Sequence, residues 1–129
     1  MGNNSTGVFV GSGAASNLVG GAVTGAGNLV SANVNDGIQL YGTGTSYNEV
    51  QDNLVGTDKT GTHRLGNGAS TLSLISGPQF NTIGGTISAA RNVLSLTPIP
   101  SATPSVRTPS TTTAPSASIS SAALRMASG

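Results

Sequence analysis

Residues 17–31, NLVGGAVTGAGNLVS, return without a gap as residues 81–95, NTIGGTISAARNVLS. Six of the fifteen positions are identical, and most of the others exchange one aliphatic or β-branched residue for another. A chain that restates its own pattern is restricted to stacked repeats, because each unit buries its apolar face against the next. The echo extends upstream. Gly7-Val8-Phe9-Val10 matches Thr71-Leu72-Ser73-Leu74 at the same offset, and Gly37-Ile38-Gln39-Leu40 is a third version between them. The repeat is therefore half the first spacing, with 30 residues from Gly7 to Gly37 and 34 from Gly37 to Thr71.

Each repeat holds three short strand candidates. The first is Val8–Val10, Ile38–Leu40 or Leu72–Leu74. The second is Leu18-Val19, Glu49-Val50 or Thr82-Ile83, and the third Leu29-Val30, Leu54-Val55 or Val93-Leu94, each preceded by Asn. In the first set apolar residues flank Phe9, Gln39 and Ser73, the period of two expected of a half-buried strand. No segment shows a useful helical stripe. The fold expected is all-β, a parallel β-helix of about three coils, in which each strand pairs with its equivalent one coil later. Val8/Ile38/Leu72, Val10/Leu40/Leu74, Val19/Val50/Ile83 and Val30/Val55/Leu94 then form interior columns. Asn17/Asn48/Asn81 and Asn28/Asn53/Asn92 form two corner columns. Asn suits a corner because it tolerates left-handed backbone angles and can hydrogen-bond to the Asn above and below. Tyr47 and Phe80, each before a corner Asn, are placed to stack.

The phrases NTIGG (81–85), RNVLS (91–95), GIQL (37–40), NEVQDNLVGTDKTG (48–61) and LGNG (65–68) resemble the right-handed parallel β-helix repeat proteins of bacteria. The resemblance covers residues 7–95 and implies a right-handed solenoid belonging to large adhesin-like, surface or secreted proteins. Residues 1–6 read as a leader, and 7–36, 37–70 and 71–95 as the coils. Residues 96–129 read as a low-complexity tail. Pro98, Pro100, Pro104, Pro109 and Pro115 cannot serve in central strands, so the tail is expected to be disordered and the solenoid to break at Ser95. The chain reads as a piece of a longer solenoid, with open ends that invite self-association.

The composition narrows function further. Charged residues are 7% of the chain and the net charge is +1, which suggests neither nucleic acid nor membrane as a partner. No apolar run is long enough to span a bilayer, and there is no basic, apolar signal segment. The absence of Cys excludes thiol chemistry and Cys-ligated zinc. Polysaccharide-cleaving β-helix enzymes need clustered carboxylates, yet Asp36, Glu49, Asp52 and Asp58 do not recur at the coil spacing. Glu49 and Asp52 are a conceivable pair, read first as solvated surface acids. The loop at 57–68 carries His63 and Arg64, read first as scaffold and second as ligand contacts. His63 lacks companions for a metal site. The reading is a non-catalytic structural or adhesion module without cofactor, with carbohydrate or a cell surface as its contact. The alternatives are a remnant of a polysaccharide-cleaving enzyme lacking its active coil, or a truncated reading frame with no independent function.

Overall fold

The computed structural model describes residues 1–95 and two strand segments, 117–119 and 124–126. The strands are β1 (Val8–Gly11), β2 (Leu18–Gly20), β3 (Leu29–Val30), β4 (Ile38–Tyr41), β5 (Glu49–Gln51), β6 (Leu54–Val55), β7 (Leu72–Ile75), β8 (Asn81–Ile83), β9 (Asn92–Leu94), β10 (Ala117–Ile119) and β11 (Leu124–Met126). They form three parallel sheets in the orders β1-β4-β7, β2-β5-β8-β10 and β3-β6-β9-β11. This is a β-helix-like solenoid, because every strand pairs with its counterpart one coil away. The register places Val8 on Ile38 on Leu72 and Val10 on Leu40 on Leu74. It also stacks Val19 on Val50 on Ile83 and Val30 on Val55 on Leu94. The core is thin and wholly aliphatic: Ile38, Leu40, Val50, Val55 and Ile83 are completely buried, with Val10 and Val30 nearly so.

Three asparagine ladders close the corners. Asn17 gives both its backbone N–H and its Nδ2 to Asn48 Oδ1, each at 2.9 Å. Asn48 gives the same two donors to Asn81 Oδ1 at 2.9 and 2.8 Å. Asn28, Asn53 and Asn92 repeat the arrangement at the next corner. The third ladder, Asn3, Asn33 and Asn67, was not anticipated from the sequence. Its signal was present, since these residues precede Gly7, Gly37 and Thr71 by four positions each. The second Nδ2 hydrogen of Asn48 and Asn53 reaches back to the carbonyls of Ala14 and Val19, and Asn67 Nδ2 reaches back to that of Val30. Each of these amides is buried with both its nitrogen and its oxygen hydrogen-bonded, the condition under which a polar interior is tolerated.

One expectation is corrected. No ladder Asn has a left-handed backbone; the left-handed residue is often the one before it: Ser16, Ala32, Tyr47, Asp52 and Phe80, with φ between 56° and 60°. The ladder requires the carboxamide to point inward along the stack. The sharp reversal therefore falls one residue earlier, on side chains that project outward. Each non-Gly residue held there costs about 1–2 kcal/mol.

Residues 1–6 are tied to the next coil, Asn3 O accepting from Val34 N–H and Ser5 O from Asn35 N–H. In the tail, β10 and β11 lie beyond Pro115 and pair with β8 and β9 in parallel register. The rest of the expected disorder at 96–129 lies outside the described residues. Among the described residues no helix is long and apolar enough to cross a membrane.

Candidate functional site

The alternation that sends Ile38 and Leu40 inward sends the intervening residues outward. The outer face of the first sheet thus carries a row Phe9, Gln39, Ser73 and a row Gly11, Tyr41, Ile75. Phe9 and Tyr41 meet diagonally, centroids 6.1 Å apart and planes inclined at 33°. Gly11 makes this possible, because a Cβ there would lie 2.6 Å from Phe9 Cε1. At the edge of this face Asp36, only 6% exposed, anchors a polar group. Its Oδ1 accepts from Ser70 N–H at 2.8 Å. Its Oδ2 accepts from Ser73 Oγ at 2.9 Å and from Gln39 Nε2.

At the following corner Tyr47 and Phe80 stack face to face, centroids 5.4 Å apart and planes within 13°. Both occupy the left-handed position before a ladder Asn, so the turn itself aims the rings outward. Their stacking returns about 0.5–1.5 kcal/mol toward that strain. The chain has two Tyr, two Phe and no Trp. All four rings are exposed, Phe9 by 55%, Tyr41 by 43%, Tyr47 by 61% and Phe80 by 49%. Aromatic rings are ordinarily among the residues most strongly withdrawn from water. Here they form two outward pairs while the interior does without them.

The residues singled out for chemistry are placed separately. Glu49 projects outward from β5, between Leu18 and Thr82 in the ladder, and its Oε2 accepts from Gln51 Nε2 at 2.9 Å. Asp52 sits in a left-handed turn and borders a shallow hollow of about 260 Å³ with Leu29, Leu54 and Lys59. No hydrogen bond joins the two acids. His63 contacts Asp58, Nδ1 to Oδ2 at 3.1 Å, on the exposed loop. Arg64 closes the neck of that loop through an antiparallel bridge to Thr57. Among the described residues no group of three or more His, Cys, Asp or Glu is placed to hold a metal ion.

Asp58 organises the loop. Its Oδ1 accepts from the Thr60 hydroxyl at 2.6 Å and from the backbone N–H groups of Thr60, Thr62 and His63. The Thr60 hydroxyl, then those backbone donors, hold its carboxyl well below the usual carboxylate range. A depressed folded-state value means that the loop's ionised anchor is fully in place above the ordinary value of 3.8. It is lost only as pH falls through the lower, folded-state value. In a carboxyl-detected NMR titration Asp58 is expected to protonate well below 3.8, and a midpoint at or above 3.8 would refute this account of the loop.

A scan against models of known protein families matches none, and neither the curated proteins nor the solved structures contain a match.

Proposed function

We propose that this chain is a non-catalytic segment of a right-handed parallel β-helix repeat protein, carried at a bacterial surface or secreted, whose outward aromatic pairs contact glycan. The observation that carries the reading is the placement of all four aromatic rings on the outside in two pairs, over a core that uses none. Exposed apolar surface of this kind marks contact sites. Flat rings beside fixed amide and hydroxyl groups match a sugar, which offers apolar C–H faces rimmed by hydroxyls. The first-sheet face carries no charged side chain in either outward row, which favours a neutral ligand. Three of the four acids support a binding role over a hydrolytic one. Asp36 is saturated by donors, Glu49 is engaged by Gln51, and Asp58 is spent on its own loop.

Affinity electrophoresis through gels containing neutral β-glucan, xylan, mannan or galactan tests this. Retardation by at least one polysaccharide is expected. Combined Phe9→Ala and Tyr41→Ala replacement is expected to weaken it by about tenfold or more, equivalent to about 1.4 kcal/mol. Both side chains lie outside the core, so the melting temperature should change little. Free migration of the native chain in every gel would overturn the reading, as would undiminished retardation of the double variant.

A further inference from the structure

We propose that Gln39 is a specificity residue of this face, a fixed hydrogen-bond acceptor for one sugar hydroxyl, and that buried Asp36 is the positioning residue that sets its polarity; the inference rests on the glycan reading above. An ionised carboxylate can only accept. The contact between Gln39 and Asp36 Oδ2 therefore fixes which end of the amide turns inward: Nε2 faces Asp36, and Oε1 faces away. Ser73 Oγ reinforces this, donating to Asp36 Oδ2 and accepting from Gln39 Nε2 at 3.4 Å. Among the described residues no protein donor reaches Gln39 Oε1, and on a half-buried side chain it is not a buried orphan, so it keeps contact with solvent.

Its surroundings define the occupant. Phe9 is the direct ladder neighbour of Gln39, and strands in a sheet lie about 4.8 Å apart. Tyr41 stands two residues along on the same face, about 6.6 Å away by the rise of a strand. A six-membered ring laid on Phe9 and Tyr41 brings one edge to Oε1. The group met there must donate, and no neighbouring cation invites an anion. A neutral polyhydroxylated ring satisfies both conditions.

The test uses the full chain and the polysaccharide that retards it, with its parent monosaccharide and each monodeoxyfluoro analogue as competitors. Fluorine is close to hydroxyl in size but cannot donate. Native protein is expected to prefer the parent sugar over one analogue by about threefold to tenfold, the value of one neutral hydrogen bond. Gln39→Met, similar in length and without an acceptor, should bind both alike. Asp36→Asn can still accept from Ser70 N–H through Oδ1 while presenting Nδ2 to Gln39. The Gln39 amide then turns over, a donor faces outward, and the preference against the fluorinated analogue disappears. An unchanged preference in either folded variant overturns the inference, and retardation that is still lost with the Phe9 and Tyr41 replacements shows that the glycan reading survives it. Free migration of the native chain in every gel removes both.

Discussion

Asn53→Ala is expected to abolish cooperative unfolding at 25 °C, or to reduce the urea midpoint by more than half. Asn53 is completely buried at the centre of its ladder. Its Oδ1 accepts from the backbone and side chain of Asn28 at 3.0 and 2.9 Å. Its Nδ2 reaches the carbonyls of Val19 and Gln51 and Asn92 Oδ1 at 2.9, 2.9 and 3.1 Å. Alanine removes all of these side-chain bonds from a completely buried position, and each is worth about 0.5–1.5 kcal/mol net. A total of about 3–5 kcal/mol is a large share of the 5–15 kcal/mol typical of a domain. Asn28→Ala, on the exposed first coil, is the control and should cost about 1 kcal/mol or less. Equal urea midpoints for the two variants would contradict the ladder's role. Asn53→Asp refines the test. A carboxylate accepts from Asn28 but faces three acceptors with nothing to donate, so burial and repulsion raise its folded-state pKa. The destabilisation is then present at neutral pH and eases as pH falls through that raised value.

Gly37→Ala is expected to be nearly as damaging, for a different reason. A Cβ at Gly37 would lie 2.5 Å from Thr71 O, 2.5 Å from Val55 Cγ1 and 2.6 Å from Asn67 Nδ2. Those atoms belong to the third coil, the core and a ladder, so none can yield without disturbing the stack. Overpacking of this kind costs about 1–3 kcal/mol and sometimes more. Gly42→Ala separates collision from backbone strain. Gly42 has φ +92° but open space around its Cβ position, so its substitution should cost only the conformational penalty, about 1–2 kcal/mol. Thermal unfolding of the two variants decides the matter. A smaller loss at Gly37 than at Gly42 would mean that the coils can part locally.

The strands and their register were legible in the sequence because stacking in a parallel solenoid is literal: the chain writes Ile38 over Val8 and under Leu72. Two asparagine columns were legible for the same reason. The third was hidden because its members sit in dissimilar phrases, Gly-Asn-Asn, Ala-Asn-Val and Gly-Asn-Gly, with only spacing to link them. The left-handed turn residues were assigned one position late. Residue preference points to Asn, whereas the ladder demands an inward Asn and passes the strain to Tyr47 or Phe80. The outward face was the least legible. Stacking of Tyr47 on Phe80 follows from column arithmetic, but the diagonal meeting of Phe9 and Tyr41 depends on the missing side chain at Gly11. Asp36 reads as a surface acid in one dimension. Its burial against Gln39, Ser70 and Ser73 exists only once two coils are laid together.

The neck of the long loop has a use apart from recognition. Thr57 and Arg64 pair across it, and Leu65 N–H returns to Gly56 O at 2.8 Å, so the chain leaves and re-enters the coil at nearly one point. What lies between contributes no strand to the ladder. Lengthening a closed loop adds only about 0.6 kcal/mol per doubling. A foreign peptide spliced between residues 58 and 63 would therefore be displayed from a rigid rod with β6 and β7 still in step, which makes this neck the natural graft point for an engineered array.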